Sequence, residues 1–212
     1  MIKQTLYPKT KRIGNPSFQI TEKLDGSNIG FFKLDGELLI AQRNYVFKYS
    51  EIEQYKGRLY GGLYGFLQEY GERLLEDLFD DGSGFFAEWI GMGQIKYGDA
   101  LEKRLYIFAK ANIRGNYEDE TLEVYNIYWD RDLLIYPFAS QEIPEYIGLP
   151  ALIATVESVS IEELDVIYDE YLEVVNRKVE GFVIMGQSGE ITKYVRNKGR
   201  KVEPHVISYA DR

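Results

Sequence analysis

After a turn-rich opening, the chain passes through three short apolar segments, residues 18–22, 28–34 and 37–42, each of strand length and bounded by turn residues. Asp25-Gly26 and Asp35-Gly36 stand between them as turn signals, so consecutive strands joined by tight turns are predicted. The period then changes. Between residues 66 and 79 apolar side chains recur at Phe66, Leu67, Tyr70, Leu74, Leu75, Leu78 and Phe79 with charges between them, the spacing of an amphipathic helix despite Gly71. Further strands are predicted over 84–89, 104–109, 122–129 and 133–138, followed by a Pro- and Gly-containing connector over 144–150. Ser160 with Glu163 is a capping-box signature for a helix continuing towards Asn176, with Leu164, Ile167, Tyr168, Tyr171, Leu172 and Val175 as its buried stripe. Two last strands, 181–185 and 190–195, flank a turn containing Gly189. Many strands interrupted by two or three helices predict an α+β fold of mixed antiparallel sheets with flanking helices, expected as one domain over residues 1–212.

Composition narrows the functional classes. A length of 212 residues, 45% hydrophobic and 28% charged, is that of a soluble globular chain with one substantial core. No run approaches the roughly 20 apolar residues that cross a bilayer, and MIKQTLYPKTKR lacks a signal peptide's hydrophobic segment, so an intracellular, cytoplasmic protein with no membrane partner is expected. With no cysteine, disulfides and Cys-based zinc sites are excluded, and a single histidine, His205, argues against imidazole-rich metal clusters and His-centred triads. The net charge of -9 argues against a large non-specific DNA-binding surface but leaves room for a local cationic pocket. Lys9, Lys11 and Arg12 form one basic group and Arg196, Lys198, Arg200 and Lys201 another; solvated termini and phosphate contacts both account for them. The acidic loop DDGSG at 80–84 lacks the complete EF-hand pattern and reads as a turn. There is no internal repeat, Walker A sequence or dinucleotide fingerprint.

The stretch TEKLDGSNIG, residues 21–30, raises the chemical question. A lysine amine attacks an electrophile only when deprotonated, and its ordinary pKa of about 10.4 makes a nucleophilic Lys23 dependent on its pocket. Lys193 or Arg196 would favour the neutral amine if folding brings the chain ends together. Glu22 and Asp25 would favour the ammonium unless their main partners lie elsewhere. By itself K-x-D-G is also an ordinary strand end turning through glycine.

With the motifs that follow, the chain resembles the covalent nucleotidyltransferase superfamily, especially RNA ligases like bacteriophage RNA ligase 2. Lys23-Leu24-Asp25-Gly26 matches motif I and Asn28 completes KLDGSN. The resemblance makes Lys23 the carrier of AMP as a phosphoamide and puts Glu22 and Asn28 around the nucleotide pocket. Arg43 matches an arginine that contacts nucleotide phosphate or sugar and the nucleic-acid end. Glu88, in FFAEWIG, matches the motif III residue that binds ribose, and Phe108, in LYIFAK, the motif IIIa aromatic that stacks on adenine. Glu180 opens motif IV, EGFVI, with a role in divalent-metal or water-mediated phosphate organisation. Lys193, in EITKYVR, matches the first motif V lysine, which contacts the α-phosphate. The second motif V basic residue falls near Val195, and Arg196 lies one place later, so either Arg196 substitutes or that contact is missing. Singly, Arg43, Glu88, Glu180 and Lys193 read as surface charges and Phe108 as core; their order around Lys23 is what joins them.

The resemblance implies a nucleotidyltransferase (ATP-grasp-like) ligase domain covering residues 22–196. The 16 residues after Arg196 are too few for an OB domain, or for the larger C-terminal domain of many RNA ligase 2 relatives, and no additional domain that recruits NAD fits before motif I. It implies an ATP-dependent ligase that uses Mg2+ or Mn2+ and joins a 5'-phosphate to a 3'-hydroxyl, with RNA as the expected nucleic acid. An accessory protein supplying part of the end-binding surface fits the acidic balance, and a phage origin, with a host-cytoplasmic location, fits the resemblance. The alternatives are a DNA ligase, a GTP-dependent capping guanylyltransferase, and a catalytically weak nucleotide- or nucleic-acid-binding protein.

Overall fold

The computed structural model describes residues 17–77, 82–119, 122–129, 144–186 and 191–196. In chain order these form β1 (Phe18–Lys23), β2 (Ser27–Leu34), β3 (Glu37–Gln42), β4 (Tyr45–Lys48), a short α1 (Ile52–Tyr55), α2 (Leu63–Asp77), β5 (Ser83–Trp89) and β6 (Leu105–Asp119). They continue through β7 (Leu122–Trp129), β8 (Ile147–Gly148), β9 (Leu152–Val156), α3 (Ile161–Val175), β10 (Gly181–Gly186) and β11 (Ile191–Val195). The fold is α+β. Among the described residues no helix is long and apolar enough to cross a membrane.

Two sheets divide the strands. The larger has the order β4-β3-β2-β5-β6-β7, antiparallel throughout, with β8 added in parallel to β6; the smaller is the antiparallel set β11-β10-β1-β9. Each buries one face under a helix. Phe66, Leu67 and Leu74 of α2 pack with Ile29, Phe31 and Phe85 of the larger sheet, whereas Leu164 and Tyr168 of α3 pack with Ile20, Phe182 and Tyr194 of the smaller. The other face of the larger sheet carries a smaller cluster, Phe32, Leu39, Ala41 and Phe86, and a fourth cluster of Leu24, Ile90, Tyr97 and Tyr106 lies where the chain passes between sheets.

The two Asp-Gly pairs do different work. Asp35 and Gly36 take φ of 52° and 74° and join β2 to β3 with Leu34 opposite Glu37, the hairpin turn that the dipeptide predicts. Asp25-Gly26 makes no hairpin. β1 pairs with β9 and β10 and never with β2, so Leu24-Asp25-Gly26 is a crossing from the smaller sheet to the larger. Gly26 is required there by proximity, since a Cβ would sit 2.3 Å from the Trp89 carbonyl oxygen.

Other boundaries also move. The first long helix covers Leu63–Asp77, starting a turn earlier than the periodicity suggests, and β6 runs ten residues beyond the predicted 109, to Asp119. β4, β8 and β9 are additions; β4 and β8 are short, and β9, although four of its five residues LIATV are apolar, is half exposed at a sheet edge. The predicted strand at 133–138, Phe79 at the end of the first helix, Asp80 and Asp81 of the acidic loop, the basic residues Lys9, Lys11, Arg12, Lys198, Arg200 and Lys201, and His205 lie outside the described residues.

α3 begins as its sequence directs. The Ser160 hydroxyl accepts from the Glu163 backbone N–H at 3.1 Å, and the Glu163 carboxylate accepts from the Ser160 N–H at 2.8 Å. It ends on Asn176 in the left-handed conformation, φ 47° and ψ 39°, a cap that asparagine tolerates better than most residues. Replacing Ser160 with alanine removes one of the two reciprocal bonds and is expected to destabilise the fold by about 1 kcal/mol, lowering the melting temperature by roughly 2–4 °C. Calorimetry checks this, and an unchanged melting temperature refutes the cap's contribution.

Candidate active site

The geometry follows from strand alternation. β1 and β10 are antiparallel with Lys23 opposite Gly181, so Glu180 arrives one residue before β10 beside the last residue of β1. The Lys23 ammonium donates to Glu180 Oε2 at 2.5 Å, a contact between residues 157 apart in sequence. Glu180 is 2% exposed; Lys23, at 21%, keeps an open side. Across the sheet Thr21 stands opposite Val183 and Val183 opposite Lys193, which places Lys193 on the same face as Lys23, two strands over. Val195 shares that face.

The neighbouring positions point the other way. Glu22 is opposite Phe182 and Phe182 opposite Tyr194, on the face covered by α3. Its carboxylate accepts from both Arg177 guanidinium nitrogens, at 2.5 and 2.7 Å, and from the Tyr171 hydroxyl at 2.8 Å. Arg196, next after Val195, follows Tyr194 onto the α3 side, where it donates to Asp169 at 2.7 Å and lies 5.0 Å over the Tyr168 ring. The resemblance groups Glu22 and Arg196 with the nucleotide pocket. Both side chains are instead engaged behind the strand, because adjacent residues of a strand face opposite ways.

From the larger sheet comes Glu88. It lies in register with Asn28 on one side and Tyr106 on the other, and its carboxylate accepts a hydrogen bond from the Gly26 backbone. Burial raises its pKa from the ordinary 4.5 to about 7, against the lowering by Lys23 and the Gly26 bond; Glu180 and Asp25 push it further up. Glu88, Lys23, Glu180 and Asp25 therefore share one electrostatic environment. Asn28 is exposed beside Glu88, and Arg43 is exposed in the turn between β3 and β4, at the same end of the sheet. Phe108 owes its place to a bulge: Phe86 pairs with Ala109 and Ala87 with Ile107, leaving Phe108 between them to lean on Phe32, Leu39 and Phe86.

Lys23, Glu180 and Glu88 are thus brought together, Lys193 stands on their face of the smaller sheet, and Asn28, Arg43 and Phe108 belong to the larger sheet. A family model described as RNA ligase matches residues 16–195.

The chain belongs to the RNA ligase family.

No curated protein matches it. The family assignment supports a ligase-type function. In this RNA ligase, Arg177, Tyr171, Tyr97 and Ile95 escape motif reading. A signal for the first of them exists in the sequence: Glu22 falls in phase with Phe18 and Ile20, and a carboxylate at an inward position of a strand requires a buried partner. Among the described residues no group of three or more carboxylate or imidazole side chains is built to hold a metal by itself. Asp25 is already engaged, accepting from the Ile95 N–H at 2.6 Å. A single buried carboxylate such as Glu180 is compatible with Mg2+, which proteins commonly bind through one or two carboxylates and water.

The Glu88 shift has a defined sign. Between about pH 4.5 and 7 the folded protein retains a proton on Glu88 that the unfolded chain has released, so this group's contribution to stability falls as pH rises through that window. Glu88→Gln removes the dependence. Urea unfolding at pH 5 and pH 8 is expected to show the variant gaining about 2–3 kcal/mol over the wild type across the interval, and a pH-independent difference contradicts the assignment.

Proposed function

We propose that the protein is an ATP-dependent polynucleotide ligase of the nucleotidyltransferase (ATP-grasp-like) type, similar to bacteriophage RNA ligase 2, acting on RNA through a lysyl-AMP intermediate. The observation that carries this reading is the meeting of Lys23 and Glu180 at the end of β1, with Glu88 in the same electrostatic environment. The Lys23 amine, once it has lost a proton, attacks the α-phosphorus of ATP; a P–N bond forms, the bond to the bridging oxygen breaks, and pyrophosphate leaves. A 5'-phosphate oxygen then attacks the same phosphorus, the P–N bond breaks, and Lys23 regains its proton. In the last step a 3'-hydroxyl oxygen attacks the activated 5'-phosphorus, its proton passing to solvent, while the phosphoanhydride bond breaks and AMP departs.

The tasks assigned here are those that the resemblance implies. Glu180 holds Lys23 at the strand end, and before attack the lysine must give up a proton, because an ammonium has no lone pair. Lys193, on the same face, supplies positive charge to the α-phosphate oxygens as charge develops there. The resemblance gives Asn28 a place around the nucleotide pocket, Arg43 a contact to nucleotide phosphate or sugar and the nucleic-acid end, Glu88 the ribose and Phe108 the adenine, all from the larger sheet. Glu180 is the residue that would hold a Mg2+ ion, which would supply charge neutralisation for the triphosphate. A second reading, a catalytically weak nucleotide- or nucleic-acid-binding protein, draws on one observation: Arg196, the residue nearest the second motif V position, is bound to Asp169 on the α3 side.

Incubation with Mg2+ and α-labelled ATP or GTP, followed by denaturing electrophoresis, separates these readings. The wild type is expected to retain label from ATP and not GTP, and Lys23→Ala to lose it by on the order of 10³-fold or more. Absence of covalent label across Mg2+ and Mn2+ sinks the lysyl-AMP claim. Sealing of 5'-phosphorylated nicked RNA, nicked DNA and single-stranded RNA in parallel then assigns the substrate, with DNA joining alone overturning the RNA preference.

A further inference from the structure

Glu22, immediately before the nucleophile, is one of two buried charged side chains among the described residues, and its carboxylate is only 1% exposed. Both oxygens are taken by the Arg177 fork, at 2.5 and 2.7 Å, and Tyr171 of α3 adds a third bond at 2.8 Å. Beyond that pair the Arg177 guanidinium lies 5.4 Å over the Tyr97 ring. The Tyr97 hydroxyl in turn accepts from the Asp25 N–H at 2.8 Å, and the Asp25 carboxylate accepts from the Ile95 N–H at 2.6 Å. The backbone is therefore tied down on both sides of Lys23-Leu24, at Glu22 and at Asp25, by groups from outside β1. Leu24 between them is itself 5% exposed.

Arg177 and Glu180 sit three residues apart in one short segment entering β10. That segment reaches both faces of the end of β1: Arg177 meets Glu22 on the α3 side, and Glu180 meets Lys23 on the other. We propose that Arg177 is a positioning residue for the nucleophile, fixing the end of β1 through Glu22 so that the only freedom left to Lys23 is its own side chain. An arginine suits the task where a lysine does not, because a planar fork fixes the carboxylate's orientation as well as its charge. This role rests on the reading of Lys23 as the AMP carrier.

The test separates positioning from mere satisfaction of a buried charge. Arg177→Lys keeps the charge and loses the fork, and the double variant Glu22→Leu, Arg177→Leu replaces the pair by apolar side chains, an exchange that folded proteins often accept. Both are expected to form lysyl-AMP at saturating ATP about 10–100-fold more slowly than wild type, with the half-saturating ATP concentration moving less than about 3-fold. Wild-type rates in both variants, or a deficit confined to the half-saturating concentration, overturn the proposal. Amide hydrogen exchange supplies a readout that needs no nucleotide. Exchange at the Asp25 and Ile95 amides is expected to quicken at least about 10-fold in Arg177→Lys with α2 unchanged, and unchanged exchange at both amides equally overturns it. If the wild type forms no lysyl-AMP, the proposed function fails on that result, and the exchange data alone decide whether Arg177 holds the strand end.

Discussion

Two carboxylates, Glu22 and Glu180, are buried to 2% exposure around the last residues of one strand, and the cost of burying charge demands a cation for each. Arg177 answers the first and Lys23 the second. Because Glu22 and Lys23 are neighbours in β1, the two ion pairs lie on opposite faces of the same sheet. Much else in the structure serves that arrangement: β10 must run antiparallel to β1 with Gly181 opposite Lys23, and α3 must end where its following loop can return an arginine to the strand.

The larger sheet is joined to this point by the crossing at Leu24-Asp25-Gly26. Its contribution includes Glu88, desolvated in the same electrostatic environment as Lys23, Glu180 and Asp25. Desolvation there holds the carboxyl half protonated near neutrality, whereas Glu180, in direct contact with an ammonium, has its countercharge at hand. Two carboxylates close to one lysine thus have different environments, and that difference divides their tasks in the proposed chemistry, one facing sugar and the other phosphate.

The elements themselves were largely legible. Ser160 with Glu163, Asp35 with Gly36, and the apolar spacing of both long helices are local signals, each acting within a few residues, and the structure uses them as written. Of the motif residues, Lys23 and Lys193 share one face of the smaller sheet and Glu180 contacts Lys23. What misled was local ambiguity. Asp25-Gly26 carries the same dipeptide as the hairpin turn but crosses between sheets, and Arg196 is basic, near the expected place, and one residue out of phase with Lys193.

The sequence by itself determined the type of fold and the positions of most strands and helices, because periodicity, capping and turn chemistry act over short stretches of chain. Only the tertiary structure decided which of two adjacent residues faces the site. Strand pairing, set by burial of Ile20, Phe182 and Tyr194 against α3, turns Lys23 outward and Glu22 inward, and no local pattern names the arginine 155 residues away that the inward carboxylate must meet.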